Sequence, residues 1–249
     1  MTHYDLLIKD ADICVMDSTM TRIPQGWVAV NGTDIAAIGQ GTTPENITAS
    51  DTIDASGQVL FPGFIDTHTH IFQSFLKGLG ADHRLIEWLN LSALPYGQFM
   101  TPYQQRLAAQ LTCMEAIKSG CTTLCEFFYT NQDPELADGC IAGMEDTGIR
   151  SIFIRTFQDC GKDYGMPACF IQPASQAMEE VSRLRKTYAN RGDMLSIWTG
   201  PDVTWSTTKE GYRTMLEYCN AENVRYAMHI DETEVDDDMC QRNYGQDIV

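Results

Sequence analysis

The rhythm of the sequence changes near Val59, and this change constrains the fold more than any other feature. Before it, short β-type segments are separated by turn formers such as Asn31-Gly32, which is typical of a small β-sandwich module. After it, apolar strand-like runs alternate with amphipathic helical stretches, which indicates a parallel sheet covered by helices. The sequence therefore predicts part of an N-terminal β-sandwich over residues 1–58 and an α/β domain over residues 59–249.

Five strand-plus-helix units follow one another in the α/β domain. The clearest helix is predicted to begin at Thr101-Pro102, a cap residue followed by proline. Its large apolar residues recur near helical spacing, and they are Leu107, Leu111, Met114 and Ile117. The predicted strands cover residues 60–68, 122–128, 150–157, 195–199 and 225–229, and the other helices cover about 134–146, 172–188 and 208–221. A closed (β/α)8 barrel needs eight such units, so five units are compatible with an open sheet or with part of a barrel.

Two histidines end the first strand of the α/β domain. His68 and His70 are one residue apart, so in an extended strand they point to the same side. Barrel and open α/β enzymes keep their chemistry at the carboxyl ends of the strands. The spacing alone does not decide between a metal site and two polar residues at a strand end.

A second element favours the metal site. The strand-like run that starts at Val224 carries His229, and Glu232 follows three residues later. A metal that activates water needs ligands and a nearby acid/base that is not itself a ligand. We therefore predict that His68, His70 and His229 bind the metal and that Glu232 is the catalytic acid/base.

The bulk composition excludes several classes of partner. A formal net charge of −17 argues against binding to nucleic acid or to an anionic membrane, because phosphate contacts need clustered Lys and Arg. The chain has no apolar run of about 18 residues or more and no basic signal-type start, so a cytoplasmic location is expected. Its nine scattered cysteines contain no C-x-x-C pair and are expected to be reduced.

With these motifs in place, the chain resembles the amidohydrolase superfamily, in the branch of metal-dependent aminohydrolases and chlorohydrolases that act on nitrogen heterocycles. The motifs that carry the resemblance are Pro62–His70, Phe75–Gly80, Glu87–Leu89, Ser119–Thr123 and His229–Thr233. The resemblance implies a (β/α)8 TIM barrel, of which about five βα units are present here, together with a small β-sandwich domain.

The resemblance also implies a single divalent metal, most often zinc and in some members iron. Its ligands match His68, His70 and His229, while a histidine from barrel strand six and an aspartate from strand eight have no counterpart in this sequence. Residues 195–202 contain no lysine that would match the carboxylated lysine of the binuclear members. The family glutamate matches Glu232, which is implied to protonate the ring nitrogen next to the target carbon.

The function implied by the resemblance is hydrolytic deamination of a purine-, pterin-, pyrimidine- or triazine-like ring. Two alternatives stay open: an s-triazine-type chlorohydrolase, and an inactive metal-binding fragment that lacks the last barrel strands. The predicted substrate contacts are Gln73, Trp88, Glu126 and Asp202, each chosen by its position near a strand end or in the first loop. A small heterocycle is the expected partner, and a homodimer is the expectation for the family.

Overall fold

The computed structural model of the chain describes residues 1–247. The chain forms two compact units, Met1–Phe64 and the part that begins at Ile65. The division thus falls six residues after the boundary expected from the sequence. Val59–Leu60 lie in the first unit because they pair in parallel with Asp12 and Ile13.

The first unit is a five-stranded sheet. Its strands are β1 (Thr2–Cys14), β2 (Arg22–Asn31), β3 (Asp34–Gln40), β4 (Ile47–Asp54) and β5 (Val59–Leu60). The order is β3-β2-β1-β4, with β5 also pairing with β1. β1, β2 and β3 run antiparallel, whereas β4 and β5 run parallel to β1. Apolar side chains cluster around Trp27 and, separately, around Val28, because successive residues of a strand face opposite sides.

The second unit contains a four-stranded sheet of the predicted type. Its strands are β6 (Phe64–Thr69), β7 (Cys121–Phe128), β8 (Arg150–Phe157) and β9 (Leu195–Pro201), in the order β6-β7-β8-β9. The pairs β7–β8 and β8–β9 are parallel.

The fifth predicted strand is present only as two isolated parallel bridges. Tyr226 pairs with Thr199, and His229 pairs with Val203. Among the described residues, this segment has a strand partner on the β9 side alone, and a ladder held from one side forms fewer hydrogen bonds. The predicted position is nevertheless kept, so His229 lies beyond the carboxyl end of β9.

The described residues form seven α-helices, of which the four longest lie where the sequence predicted helices. They are α1 (Leu85–Leu91), α2 (Ala93–Gly97), α3 (Pro102–Lys118), α4 (Pro134–Thr147), α5 (Ala174–Thr187), α6 (Lys209–Glu222) and α7 (Val235–Tyr244). Short 3-10 helices cover Ile71–Leu76, Lys162–Tyr164, Ala189–Met194 and Thr204–Ser206. Among the described helices, none combines the length and the apolar character needed to cross a membrane.

Helix α3 begins at the predicted Thr101-Pro102 pair and buries mainly small residues. Thr101 forms a capping box with Gln104: the Thr101 hydroxyl accepts from the Gln104 backbone N–H, and the Gln104 amide oxygen accepts from the Thr101 N–H. The large apolar residues that recur near helical spacing are 37–50% exposed, namely Leu107, Leu111, Met114 and Ile117. The buried positions are Gln105, Ala108, Ala109 and Cys113.

The packing of α3 against α4 explains why small residues are buried there. A Cβ atom added at Gly139 would lie 2.3 Å from the Pro102 carbonyl oxygen, and one at Gly143 would lie 2.3 Å from the Arg106 carbonyl oxygen. The two helix backbones therefore approach too closely for larger side chains. The close approach of the two helices therefore requires small residues on this face of α3. The spacing of the large apolar residues does not indicate which face that is.

The strands of the second unit separate two apolar environments. On β7, Leu124 and Phe128 pack with residues of α3 and α4, while Cys125 and Phe127 pack with Ile154 of β8 on the other side. This alternation follows from the strand geometry. It places Phe127 on the side of the predicted metal ligands and Glu126 on the side of the helices.

Candidate metal centre

Three histidine side chains converge at the carboxyl ends of the strands. His68 lies in β6, His70 follows its last residue, and His229 lies on the bridge to Val203. The Nε2 atoms of His68 and His70 are 3.2 Å apart, those of His70 and His229 are 3.2 Å apart, and those of His229 and His68 are 3.1 Å apart. These nitrogens form a nearly equilateral triangle.

The size of this triangle fits one metal ion. Zinc–nitrogen bonds of about 2.0–2.1 Å in tetrahedral geometry separate two ligand nitrogens by roughly 3.3–3.4 Å. The observed separations of 3.1–3.2 Å are close to that value. Among the described residues, these three histidines are the group whose ligand atoms come close enough together to hold an ion.

Backbone carbonyl groups orient two of the three rings. His70 donates from Nδ1 to the Phe127 carbonyl at 2.8 Å, and His229 donates from Nδ1 to the Asp202 carbonyl at 2.7 Å. Because a carbonyl oxygen only accepts, Nδ1 carries the proton in both rings and the Nε2 lone pair is left for a metal. Such hydrogen bonds fix the tautomer and the orientation of metal-binding histidines.

Burial favours the uncharged form of the His68 and His70 rings. Desolvation, and after it the nearby His229, lowers the pKa of His70 to about 3. The pKa of His68 is lowered for the same two reasons, although Asp66 opposes the shift. The Phe127 ring adds an apolar floor, since its centroid lies 4.3 Å from that of His229 and 5.2 Å from that of His68. Neutral imidazoles are the form that binds a metal.

Glu232 lines the cavity next to the histidines, just before α7. Desolvation raises the pKa of its carboxyl group, an effect that His229 opposes and that Asp236 and Asp202 reinforce. The Glu232 backbone N–H donates to the Asp236 carboxylate at 2.7 Å, which holds the segment in place. A carboxyl group with a raised pKa suits an acid/base that exchanges protons near neutral pH.

Asp202 is a second acidic group in the same cavity and is 6% exposed. Its Oδ2 atom accepts from the Gln158 side-chain amide at 3.0 Å, and its Oδ1 atom lies 3.9 Å from His229 Nδ1. Burial raises the pKa of the carboxyl group, while His229 and the hydrogen bond from Gln158 act in the opposite direction. Asp202 thus contacts a proposed metal ligand through its backbone and also faces the cavity.

Gln73 and Trp88 also line this cavity. The side-chain amide of Gln73 donates to the Tyr129 hydroxyl at 2.8 Å. The indole N–H of Trp88 donates to the Leu79 carbonyl at 3.0 Å. Both side chains are half-buried, so each is available to a ligand in the cavity.

Glu126 does not lie in the cavity, where the predicted substrate contact would place it. Its side chain is 1% exposed, and its carboxylate accepts from the Ile71 backbone N–H at 2.7 Å. Burial raises the pKa of this carboxyl group well above the usual range. Since Glu126 faces the helix side of β7, it contacts the segment directly after His70 and does not line the cavity.

Sequence reasoning missed most of the apolar wall of the cavity. Tyr129 and Trp205 line it together with Met166 and three leucines. Both aromatic residues lie just after a strand end, Tyr129 after β7 and Trp205 after β9. The rule that strand ends line such sites would have found them if it had been applied to aromatic as well as to titratable residues.

Comparisons with known proteins bear on the family and the fold of the chain. The model of the amidohydrolase family matches residues 59–249. The chain is 26% identical to the 5'-deoxyadenosine deaminase of Methanococcoides burtonii over 243 residues, which is 97% of this chain and 52% of the relative. The chain thus spans about half the length of the curated relatives it matches.

Two solved structures show the same fold. An adenosine deaminase from Xanthomonas campestris with bound zinc superposes with a TM-score of 0.86 at 19% identity, over 98% of this chain and 53% of that chain. A triazine hydrolase from Arthrobacter aurescens superposes with a TM-score of 0.85 at 22% identity, over 98% of this chain and 56% of that chain. At these identities, the likeness bears on the fold alone.

Proposed function

This chain belongs to the amidohydrolase family, and from that premise we propose that its three-histidine centre serves the hydrolytic deamination of a nitrogen heterocycle. The family resemblance predicted from the motifs is confirmed, and so is the fold class of a (β/α)8 barrel in part. Curated relatives include deaminases of 5'-deoxyadenosine and of 5-methylthioadenosine and S-adenosylhomocysteine. Their ring amines support a heterocyclic amine as the substrate class.

One observation carries the proposal: the Nε2 triangle of His68, His70 and His229, with edges of 3.1–3.2 Å. Three imidazole nitrogens with a further coordination position left for water are the donor set of a catalytic zinc site. When bound, zinc supplies the Lewis acidity that lowers the pKa of water from about 16 towards 7. We favour zinc, with iron as the alternative that the same three nitrogens accept.

Glu232 would move the protons. Its carboxylate would take a proton from the attacking water and pass it to the ring nitrogen beside the reacting carbon. The raised pKa of Glu232 supports this role, because a carboxyl group that holds a proton closer to neutral pH delivers it more readily. The carbon–nitrogen bond then breaks, ammonia leaves, and the ring keeps the oxygen of the water.

The other polar side chains of the cavity would bind the ring. Trp88 offers a flat apolar surface, and Gln73 and Asp202 offer hydrogen-bonding atoms. Asp202 would also hold His229 in position, because its backbone carbonyl accepts from the Nδ1 atom of that ring. Glu126 would act indirectly, by fixing the backbone of Ile71 beside His70.

The test is ammonia release by the zinc-loaded chain across adenosines, guanine-like rings, pterins and triazines. We expect one zinc per chain and ammonia from at least one ring class. Glu232→Gln should keep the zinc and lose about 100-fold or more in rate. His229→Ala should lose the zinc as well, since it removes a ligand.

The alternatives give different results in the same assay. Chloride release from a chlorinated triazine, with no ammonia from any amine, would establish the chlorohydrolase. Zinc binding without turnover of any ring would reduce the role of the chain to metal binding.

A further inference from the structure

A buried tryptophan lines the ligand cavity with an unused hydrogen-bond donor. Trp205 is 1% exposed, lies in the short 3-10 helix after β9, and shares the cavity with His70 and His229. Its indole Nε1 atom has no hydrogen-bond partner among the described residues. Buried N–H groups in folded proteins are nearly always paired, and an exception calls for an explanation.

The second tryptophan of the cavity shows the contrast. Trp88 donates its indole N–H to the Leu79 carbonyl at 3.0 Å. The protein therefore satisfies one of the two indole donors and leaves the other without a partner among the described residues. A ligand in the cavity would supply the missing acceptor.

Tyr129 provides a second donor nearby. It is 4% exposed, and its ring centroid lies 5.0 Å from that of His70. Its hydroxyl oxygen accepts from Gln73 at 2.8 Å. A hydroxyl group has one proton as well as two lone pairs, and this proton has no acceptor among the described residues.

The charged residues of the cavity limit which ligand groups can accept these two hydrogen bonds. No Lys or Arg lines the cavity within the described part of the chain, whereas Asp202 and Glu232 do. Apart from the metal itself, an anionic ligand would meet two acidic groups and no basic side chain, which is unfavourable in a partly buried site. Neutral ring nitrogens or carbonyl oxygens avoid that cost.

We propose that the cavity receives a neutral heteroaromatic ring that accepts hydrogen bonds from the Trp205 indole N–H and from the Tyr129 hydroxyl. The proposal deepens the proposed function and rests on it for the location of the reacting carbon beside the histidines. It makes Trp205 and Tyr129 specificity-determining residues, which read the hydrogen-bond acceptors of the ring.

The test measures binding of adenine and of its 1-, 3- and 7-deaza analogues, in which one ring nitrogen is replaced by C–H. The zinc-loaded chain carries Glu232→Gln so that no ring is turned over, and affinity is measured by calorimetry. At least one deaza analogue should bind about threefold to tenfold more weakly than adenine. In Trp205→Phe or in Tyr129→Phe, that difference should disappear, because the donor that reads the nitrogen is absent.

Trp88→Phe is the matched control. It removes an indole that lines the same cavity but whose N–H the protein already satisfies. We expect it to weaken adenine and all deaza analogues by the same factor. Zinc content and thermal unfolding, measured for each variant, identify any variant that has failed to fold, and Tyr129→Phe then tests the proposal independently of Trp205.

Two outcomes would overturn the proposal. One is equal affinity of the parent chain for adenine and all three analogues, and the other is a difference that survives in both Trp205→Phe and Tyr129→Phe. Failure of the proposed function looks different: the chain would discriminate among the rings as described and yet release no ammonia from any of them with Glu232 intact.

Discussion

At the scale of single residues, burial sets the charge of the proposed ligands. His70 lies between Phe127, Tyr129 and His229, and this desolvated position lowers its pKa to about 3. An unfolded histidine has a pKa of about 6.5. Between these two pKa values, the His70 ring is neutral in the metal-free folded chain and protonated in the unfolded chain.

This difference predicts how the stability of the metal-free chain depends on pH. Between pH 6.5 and about 3, the His70 ring is protonated in the unfolded state but not in the folded state. The free energy of unfolding therefore falls as the pH falls through that window. Below about pH 3, both states are protonated and His70 causes no further decrease. At pH 5 the loss from His70 amounts to up to about 2 kcal/mol relative to neutral pH. Urea unfolding at pH 7 and pH 5 measures it.

His70→Gln should remove this part of the pH dependence. His83→Gln is the control, because His83 lies in an exposed loop with 45% of its side chain accessible, and it should behave as the parent chain does. Equal losses in the parent and in His70→Gln would contradict the expected role of His70.

The meeting of the His68 and His70 side chains was predictable from the sequence, while their surroundings were not. The alternation of a strand was enough to put His68 and His70 on one side, and their Nε2 atoms do meet. The orienting carbonyl groups of Phe127 and Asp202 depend on tertiary contacts between separate strand ends. Every residue has a backbone carbonyl group, so no sequence pattern indicates which of these groups will orient a histidine ring.

At the scale of secondary structure elements, β9 needs a glycine to hold the segment that carries His229. A Cβ atom added at Gly200 would lie 1.7 Å from the Ala227 carbonyl oxygen. The two bridges on either side, at Thr199 and Val203, depend on this close approach. A glycine inside a strand often marks such a contact.

Gly200→Ala is therefore expected to push residues 225–229 away from β9 and to move His229 out of the Nε2 triangle. Zinc affinity should fall by more than about tenfold, since shifts of groups that only orient the ligands already cost 10- to 100-fold. A competition titration against a zinc-binding dye measures this.

Ser196→Ala on the same strand is the matched control, because Ser196 is exposed and should bind zinc as the parent does. Parent-like zinc affinity in a folded Gly200→Ala chain would show that the contact does not position His229.

Element positions were more predictable than element faces. The Thr101-Pro102 pair marked the start of α3 in the sequence, and the helix begins there. The buried face of α3 was not predictable from its large apolar residues, because the contact with α4 is made by Gly139 and Gly143 against backbone carbonyls. Hydrophobic spacing indicates where the apolar side chains lie on a helix. The interface between α3 and α4 depends instead on the short distance between the two helix backbones.

At the scale of the whole molecule, the proposed metal centre joins distant parts of the second unit. His68 lies in β6 and His70 directly after it, at one end of the order β6-β7-β8-β9, and His229 is bridged to Val203 after β9, at the other end. A metal held by all three therefore links strands that do not pair with one another. Binding that requires the folded arrangement stabilises the folded state by mass action.

Metal removal is thus expected to lower stability and to loosen the region around His229. At a zinc concentration of about 100 times the dissociation constant, the gain is roughly 2.7 kcal/mol, so the zinc-loaded chain should melt at a higher temperature than the chelator-treated chain. Limited proteolysis should cut residues 225–247 faster after chelation. Identical melting and cleavage with and without zinc would show that the three histidines do not act as a link.

The separation of the proposed ligands along the chain determines when, during synthesis, the complete site can form. His68 and His229 are 161 residues apart, and a ribosome that adds about 5–20 residues per second needs roughly 10 to 30 s to make that stretch. During synthesis the pair at the end of β6 exists long before its third partner. A nascent chain can hold a metal only through two imidazoles in that interval, so loading of the finished site must come late, after His229 has left the exit tunnel and settled against β9.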